Sequence, residues 1–572
     1  MKRLIPAFLC LFLSISFLLS CENGDIGSSP DDSSSTVVSD PHIKSEPIKI
    51  TLMMAESDTE FPLAKTQNFR EIQEIALNKF NIDYRLETFL SSEGNSVVST
   101  RLAAGVDLPD VINFLYSRER MNDLYRNDLI LRLNELIDEY SPNYAALLDI
   151  RPYLIIAHSN ADGDILRMAA NYEETPQHCV QVLSIRNDWL KKIGMDYTYL
   201  KTPDDLYLAL KAFQENDVNG SGKPDEVLTA SGAYAIYDIM SVLGTAFGVP
   251  NATQSANSWY FDEDGKVYNC ITQPGSYELA AYLNKLYAEG LLDGSVVSQT
   301  NDSYNRKLAT NMLAGRTSHY WESVLMNISI RDRGFTEAEY IPIALPISND
   351  GNPMHYYLDL PGYGGYMFTK NCADPVALMR FFDWGYSLEG SVKNYYGVDD
   401  IDIGSEYFTK AIPLPGLVLP PDQMDATPYY NEQMNDEPLL IHKNGWNQEF
   451  TPKLFMGNSD MVIQEFYVTF TTERCGLAAE IDFNRQGLDD LVKYGIPACN
   501  FAAPTDEESE AWGAFVDLWI YMDMMYTRFI TGEEPLTNWD TFVRECENQG
   551  LSKAISIRQA QYDRCIEIMG ER

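Results

Sequence analysis

The chain has 572 residues and a formal net charge of −40, because 83 acidic residues outnumber 43 lysines and arginines. A field of that sign repels nucleic acid and anionic lipid headgroups, so the composition argues against a nucleic-acid-binding protein. One hydrophobic core rarely extends beyond ~250–300 residues, so at least two lobes are expected.

The N-terminus is typical of a secretory signal, which is absent from a mature protein. Lys2 and Arg3 precede an uncharged apolar run that extends to Leu19. The run leads into the sequence LLSC, which resembles the lipobox of bacterial lipoproteins, where the cysteine is lipidated. We predict a signal peptide over residues 1–20 and lipidation of Cys21. The alternatives are an ordinary signal cleaved nearby and a single spanning helix, although the run is shorter than the ~20 residues that spanning requires.

The segment after the signal has little to bury. Residues 21–46 are rich in serine, aspartate and proline. Such a composition predicts a flexible linker between the lipid anchor and the ordered body.

The first ordered elements alternate between strand and helix. An apolar, β-branched run at 47–56 predicts a buried strand, apolar residues recur at helical spacing over 66–80, and a second strand is predicted at 82–90. A turn before Val111 leads into a third strand. This order predicts a βαβ unit with a parallel sheet, and therefore an α/β lobe.

Helices dominate the second half of the chain. Thr202 is followed by a proline and two aspartates, which predicts a helix start. Apolar residues recur at helical spacing over 279–287, with Gly290 as the predicted C-cap, and residues 506–530 form another helical stretch. The acidic sequence DEDGKV at 262–267 predicts an Asp-Gly hairpin turn instead.

The nine cysteines give no disulfide framework. Cys10 lies in the signal and Cys21 at the anchor, and the other seven are widely spaced without a C-x-x-C pair. Seven is odd, so at least one thiol is free unless it bonds another chain. We interpret most of them as small buried apolar residues and assign no disulfide.

Several phrases together resemble the extracellular solute-binding proteins of bacterial ABC importers. The similarity is to the large saccharide-binding branch, which includes alginate-oligosaccharide-binding proteins and lipoproteins of the LplA type. The phrases are LAAGVDLPDVI at 102–112, IRNDWLKKIGM at 185–195, DVNGSGKPDE at 217–226, YLNKLYAEGLLD at 282–293, FFDWGYSLEG at 381–390, and RFITGEEPL followed by NWDTFV near the end.

The resemblance implies an α/β, periplasmic-binding-protein-like type II fold. Two lobes are joined by a hinge, the ligand binds in the cleft between them, and the second lobe is helix-rich. We expect residues 47–165 and 325–415 in the N-terminal lobe, and residues 166–324 and 416–572 in the C-terminal lobe.

The implied function is capture of an oligosaccharide and its delivery to an ABC permease. The protein is then a monomer on the extracytoplasmic face of the cell membrane, and it is not an enzyme. Two alternatives stay open, a secreted glycoside hydrolase and a sugar-sensing lipoprotein without transport. A hydrolase needs two carboxylates roughly 5–10 Å apart, and no recognisable motif marks such a pair.

Sugar sites combine aromatic platforms with polar side chains, and the chain has 35 tyrosines and 8 tryptophans. The candidates lie after expected strand ends, in glycine-rich and polar loops or, for Arg186, in the segment that the resemblance implies crosses toward the second lobe. Packing is the alternative role for these residues, and an edge-strand bend is the alternative for the glycine-rich PGYGGY segment. The predicted ligand contacts are Glu56, Tyr116, Arg186, Trp321, Tyr363, Tyr366 and Trp446.

The stretch DVNGSGKPDE at 217–226, here called the acidic loop, has the oxygen spacing of a calcium loop. Counted from its first residue, side-chain oxygens fall at positions 1, 3, 5, 9 and 10, and Gly222 at position 6 permits the sharp turn. Leu228 occupies position 12, where an EF-hand has glutamate, but the resemblance implies an Asp-Glu pair at positions 9 and 10 as the last ligands. The predicted ligands of a structural Ca²⁺ ion are Asp217, Asn219, Ser221, the carbonyl of Lys223, Asp225 and Glu226. Zinc prefers nitrogen and sulfur, and a plain acidic turn is the remaining alternative.

Overall fold

The structure is a computed structural model. It describes residues 46–56, 67–90, 94–105, 107–113, 118–150, 152–169, 171–172, 181–232, 234–319, 326–327, 329–331, 333–343, 355–357, 365–387, 390, 457–458, 495–497 and 501–570.

The described residues form strands, α-helices and short 3₁₀ helices. The strands are β1 (Ile48–Glu56), β2 (Ile82–Leu90), β3 (Val111–Asn113), β4 (Met168–Ala169), β5 (Asn171–Tyr172), β6 (Gln181–Arg186), β7 (Val227–Ala230), β8 (Trp259–Phe261), β9 (Val267–Asn269), β10 (Leu313–His319), β11 (Tyr340–Ile343), β12 (His355–Tyr357), β13 (Gly365–Phe368), β14 (Gly457–Asn458) and β15 (Gly495–Pro497). The α-helices are α1 (Gln67–Phe80), α2 (Gly94–Ala104), α3 (Arg118–Arg126), α4 (Asn134–Tyr140), α5 (Pro142–Ile150), α6 (Tyr153–His158), α7 (Asn187–Lys192), α8 (Pro203–Glu215), α9 (Ala235–Leu243), α10 (Pro274–Ala288), α11 (Asn301–Ala309), α12 (Pro375–Gly385), α13 (Asp506–Gly513), α14 (Val516–Thr531), α15 (Trp539–Asn548) and α16 (Leu551–Gly570). The 3₁₀ helices are Tyr197–Tyr199, Gly244–Phe247, Ser255–Asn257, Cys270–Thr272 and Leu536–Asn538.

The first sheet has the strand order β2-β1-β3-β13-β4. Strand β1 pairs in parallel with β2, where Ile48 lies opposite Ile82, and in parallel with β3 on its other side. Strands β13 and β4 complete the sheet in antiparallel pairings. The predicted βαβ unit is therefore confirmed, but the sheet is parallel only over β2, β1 and β3 and is mixed as a whole.

Both faces of the first sheet are buried. Leu52 and Met54 of β1 pack with Phe69 and Phe381 in a core on one face, whereas Met53 packs into a second core on the other. Successive side chains of a strand point to opposite faces, so a strand buried on both sides needs a continuous apolar run. This burial explains the unbroken ITLMMA sequence of β1.

The second sheet has the strand order β11-β6-β10-β7. Strand β10 is parallel to β7 and antiparallel to β6, and β11 is antiparallel to β6. Its hydrophobic core collects residues from the middle helices α8 and α10 and from the C-terminal helices α14 and α15. The second core is thus separate from the cores of the first sheet, and it is helix-rich.

Strand β11 lies in the second sheet, although residues 325–415 were expected in the N-terminal lobe. All four residues of Tyr340–Ile343 are buried, and Tyr340 lies opposite Arg186 of β6. A short apolar strand carries no local signal for the sheet that it joins. Strand β4, within the segment 166–324 expected in the C-terminal lobe, likewise pairs in the first sheet, and the lobe boundaries stay a prediction.

The C-terminal helices also contact the first sheet's helices. Cys565 of α16 packs against Ile156 of α6 and against Ala502. An ion pair joins Arg126 Nη1 of α3 to Asp506 Oδ1 of α13 at 2.5 Å. The end of the chain therefore touches structure associated with both sheets.

Two local predictions are confirmed in atomic detail. At the start of α8 the Asp205 N–H donates to Thr202 Oγ1 at 3.1 Å, and the Thr202 N–H donates to Asp205 Oδ2 at 2.9 Å. Strands β8 and β9 form the expected hairpin, where Asp262 Oδ1 accepts two backbone N–H groups of the turn at 3.0 Å each. The stretch 506–530 is helical as predicted, and it divides into the helices α13 and α14.

Within the described ranges, no helix is both long and apolar enough to cross a membrane. The four cysteines of this part of the chain, Cys270, Cys372, Cys546 and Cys565, are free thiols. All except Cys372 are buried, so these three have the apolar core role that was predicted.

Candidate functional site

Four strand ends locate the candidate ligand site. The parallel strands β1 and β3 end at Glu56 and Asn113, and the parallel strands β7 and β10 end at Ala230 and His319. In open α/β sheets, ligands bind outside the carboxyl ends of the strands. The segments directly after β1, β3 and β10 lie outside the described residues, whereas β7 leads into α9.

An open recess lies beside the start of α9. Its volume is about 550 Å³, within the usual range of ligand pockets. Helix α9 contributes one residue, and α14 with the turn after it contributes the others. The recess is lined by Tyr237, Asp523, Met524, Thr527, Arg528 and Glu533.

Ser255 fixes the Asp523 carboxylate beside the recess. The Ser255 N–H donates to Asp523 Oδ1 at 2.8 Å. Burial raises the pKa of Asp523, and the hydrogen bonds from Ser255 oppose that rise. Burial, and then the neighbouring Asp523 carboxylate, raise the pKa of Tyr237 to about 12, so its phenol is protonated at neutral pH and can donate a hydrogen bond.

Two glutamates flank the guanidinium of the recess, although its buried Nε atom makes no hydrogen bond within the described structure. Arg528 Nε lies 3.9 Å from Glu533 Oε2, and Arg528 Nη2 lies 3.5 Å from Glu534 Oε2. The described lining therefore combines one guanidinium with the carboxyl groups of Asp523 and Glu533, and Glu534 lies against the same guanidinium.

None of these lining residues is among the ligand contacts predicted from the sequence. One signal is present in the sequence, because Asp523 interrupts the apolar stretch WIYMDMMY of α14. A carboxylate in such a helix needs a partner or a function. Asp523 lies beside Tyr237 only because α14 packs next to α9 at the recess, and the sequence does not reveal that packing.

The acidic loop folds inward around its own side chains. Asp217 has a positive φ of 46°, and both oxygens of its carboxylate accept the Gly222 N–H at 3.1 Å. Asp225 Oδ1 accepts hydrogen bonds from Asn219 Nδ2 at 2.7 Å and from Ser221 Oγ at 2.9 Å. The predicted side-chain ligands are thus held within one compact turn.

Glu226 is the most enclosed of the predicted ligands. It is fully buried, and Oε1 accepts the Asn219 N–H at 3.2 Å. Within the described structure, Oε2 is buried and accepts no hydrogen bond, and burial raises the pKa of this carboxyl group. An unpartnered buried carboxylate oxygen is costly, and a hard cation such as Ca²⁺ would compensate it.

The remaining hydrogen bonds of the acidic loop hold its backbone in place and do not bring its carboxylates together. Lys192 Nζ donates to the Val218 carbonyl at 2.7 Å, and Gln214 Nε2 donates to the Glu226 carbonyl at 3.0 Å. The Lys223 carbonyl, predicted as a ligand, accepts from Ser221 Oγ at 3.1 Å. In the described part of the chain no three His, Cys, Asp or Glu side chains converge as a metal cluster. The donor set fits calcium, but the carboxylates would have to turn from the loop's own donors.

Arg186 is a core residue in this conformation, with 2% of its surface exposed. Its Nε and Nη2 atoms each donate to one oxygen of Asp188 at 2.7 Å. The guanidinium also lies 4.1 Å from the ring centroid of Trp189. Packing was the stated alternative to ligand contact, and it accounts for every one of these interactions.

Tyr366 is likewise enclosed, at 1% exposure. Its ring lies edge-on to Phe382 at 5.1 Å between centroids, and burial raises the pKa of the phenol. Neither Tyr366 nor Arg186 presents a surface to a ligand here. Glu56 lies at the end of β1, as expected from the sequence. Four predicted contacts lie outside the described residues, namely Tyr116, Trp321, Tyr363 and Trp446, as does the predicted lipidation site Cys21.

A family model of bacterial extracellular solute-binding proteins matches residues 64–391, which is more than half of the chain. The chain belongs to the bacterial extracellular solute-binding protein family. The membership predicted from the six sequence phrases is therefore confirmed.

Three relatives are similar to parts of this family member. The fructooligosaccharide ABC transporter substrate-binding protein FusA of Streptococcus pneumoniae is 28% identical over 207 residues, or 35% of this chain and 38% of FusA. The polygalacturonan/rhamnogalacturonan-binding protein YtcQ of Bacillus subtilis is 26% identical over 344 residues, or 59% of this chain and 63% of YtcQ. Lipoprotein LipO of Bacillus subtilis is 32% identical over 127 residues, or 21% and 23%. The matches thus span less than two thirds of each relative's length.

Solved structures are similar over almost the whole chain. The alginate-binding protein AlgQ2, in a structure without calcium ion, has a TM-score of 0.63 at 19% identity and covers 91% of this chain and 99% of its own. FusA in complex with kestose has a TM-score of 0.63 at 20% identity, covering 90% and 99%. This likeness confirms the expected fold class, an α/β periplasmic-binding-protein-like type II fold of two lobes.

Proposed function

We propose that this chain is the solute-binding lipoprotein of a bacterial ABC importer. It captures an oligosaccharide between its two lobes and delivers it, unchanged, to the membrane permease. The observation that carries the proposal is the family match over residues 64–391. The names of FusA and YtcQ, which refer to a fructooligosaccharide and to polygalacturonan, support a saccharide as the solute.

Delivery requires that binding change the shape of the protein. A ligand shifts an equilibrium between open and closed lobes only by its differential affinity for the two states. Moving the closed population from about 1% to about 99% takes roughly 5.5 kcal/mol of differential binding, which contacts with both lobes can supply. The permease then distinguishes the loaded from the empty protein.

We further propose that Cys21 carries the lipid anchor and that residues 21–46 form the flexible linker. The signal-like N-terminus and the polar composition of the linker support this arrangement, as does the relative named lipoprotein LipO. The protein then acts as a monomer on the extracytoplasmic face, tethered near its permease.

Calcium is proposed as a structural ion of the acidic loop. The predicted ligands and the buried, unpartnered Oε2 of Glu226 support it. Two neighbour structures point the same way, since one is AlgQ2 without calcium ion and another is a FusA EF-hand mutant. The ion would fix the turn between α8 and β7 and take no part in chemistry.

A glycan array followed by product analysis separates binding from hydrolysis. Fluorescently labelled protein without its first 46 residues is incubated with neutral and uronate-containing oligosaccharides, and each bound glycan is recovered and weighed by mass spectrometry. We expect binding of at least one glycan, which returns intact. Accumulation of shorter sugars with new reducing ends would establish the glycoside hydrolase instead.

Transport and sensing differ in the cell. If the protein is a component of an importer, a deletion strain of the native bacterium should lose uptake of the radiolabelled glycan that bound on the array. Normal uptake together with a lost transcriptional response to the glycan would establish the sensing lipoprotein.

A further inference from the structure

The recess between α9 and α14 carries polar groups suited to sugar hydroxyls. Asp523 offers carboxylate oxygens as acceptors, and its orientation is fixed by the Ser255 N–H at 2.8 Å. Tyr237 offers a ring and a phenol, Thr527 a hydroxyl, and Met524 an exposed apolar surface. A carboxylate has about four acceptor sites, so the contacts with Ser255 leave capacity for a ligand.

The position of the recess agrees with a ligand site. Tyr237 lies in the first turn of α9, seven residues beyond Ala230, which ends β7 and pairs in parallel with Thr317 of β10. Ligands of open α/β sheets bind outside this carboxyl edge. The volume of about 550 Å³ is that of a pocket for a small molecule or a short glycan segment.

The charge of the recess restricts which glycan it accepts. Recognition of a uronate carboxylate uses an available arginine or lysine, ideally in a bidentate pair. Arg528 is the guanidinium of the lining, and it is flanked by Glu533 at 3.9 Å and Glu534 at 3.5 Å. A uronate there would meet the carboxyl groups of Asp523 and Glu533, and like charges in proximity repel.

We propose that this recess is a subsite for a neutral sugar unit, in which Asp523 accepts hydrogen bonds from sugar hydroxyls and Tyr237 contacts the ring. The inference rests on the proposed function and narrows its substrate class. Among the chemistries named by the relatives, it favours neutral fructooligosaccharides over polygalacturonan for this chain.

The test compares Asp523→Asn with a matched control on the same helix. Asp517 of α14 is exposed and does not line the recess, so Asp517→Asn makes the same chemical change away from the site. Affinity is measured by isothermal titration of the full chain with the tightest-binding neutral glycan of the array and with trigalacturonate. We expect Asp523→Asn to weaken neutral-glycan binding about tenfold or more, the loss typical of a hydrogen bond to a charged group, and Asp517→Asn to leave it unchanged.

Asp523→Asn alters the contact with Ser255, so two further variants test the recess in case this variant does not fold. Tyr237→Phe and Thr527→Val remove hydroxyl groups from the same recess without removing that contact, and each should weaken the neutral glycan severalfold while melting like the wild type. Tighter binding of trigalacturonate than of any neutral glycan, or equal affinity across all variants, would overturn the neutral subsite and leave the solute-binding function intact. A wild type that binds no glycan of either class would instead refute the proposed function itself.

Discussion

Replacing Glu226 by glutamine tests the calcium proposal at its most enclosed ligand. The wild-type carboxylate is fully buried, and its Oε2 atom has no hydrogen-bond partner within the described structure. Glutamine keeps the shape and the acceptor for the Asn219 N–H, but it removes the charge that a cation would compensate. Calcium should therefore no longer raise the melting temperature of the variant. Without calcium, the variant should be at least as stable as the wild type.

The expected magnitude follows from linkage between binding and folding. At a calcium concentration of about 100 times Kd, an ion that binds only the native state adds about 2.7 kcal/mol. Domains of ~150–250 residues gain about 2–4 °C in Tm per kcal/mol, so the rise should be about 5–10 °C. Scanning calorimetry in EDTA and in excess calcium measures it directly.

The matched control is Glu263→Gln, the same change in the exposed DEDG turn of the β8–β9 hairpin. It should keep the full calcium response. Equal melting temperatures of the wild type in EDTA and in calcium would refute the reasoning, as would a calcium response retained by Glu226→Gln.

Three further outcomes are expected from other parts of the chain. Arg186→Met should destabilise the protein by about 3–5 kcal/mol in urea titrations, because it leaves the largely buried Asp188 carboxylate without its ion-pair partner. The control Arg85→Met, which breaks the exposed ion pair with Asp83, should have little effect on stability. Equal losses of stability in the two variants would contradict a core role for Arg186. The pKa of His158 is held well below its ordinary value by burial and then by the nearby Arg167 and Arg118 guanidinium groups. The unfolded chain binds a proton at this histidine as the pH falls through ~6.5, whereas the native state does not, so the free energy of unfolding should decrease over that range. In urea titrations at pH 5–8, His158→Asn should weaken this pH dependence. An unchanged slope would show that His158 is not the group responsible. Cys21→Ala should move the protein from the membrane fraction to the medium or periplasm in cell fractionation, and unchanged membrane association would exclude lipidation at this cysteine.

Local sequence patterns predicted much of the fold because short-range physics determines them. The capping box of Thr202 and Asp205 and the Asp-Gly hairpin at 262–267 involve groups only a few residues apart. The stretch ITLMMA of β1 is apolar except for Thr51 because both faces of its sheet are covered. These signals are present in the sequence before any tertiary contact forms.

Strand pairing and the burial of polar side chains depend on residues that are distant in sequence. Local sequence patterns therefore could not predict them. Strand β11 is apolar enough for either sheet, and only its pairing with β6 places it. Arg186 has the chemistry of a ligand contact, but Asp188, Trp189 and Tyr340 enclose it. Asp523 and Tyr237 are separated by almost 290 residues, so their shared recess is visible only in the folded chain.

Small-angle X-ray scattering of the protein with and without its array-selected glycan tests the two-lobed capture mechanism most directly. The linker-free protein, beginning at residue 47, should show a smaller radius of gyration when saturated with glycan, and the glycan recovered afterwards should be intact. Identical scattering curves together with progressive cleavage of the glycan would contradict capture by lobe closure and indicate an enzyme.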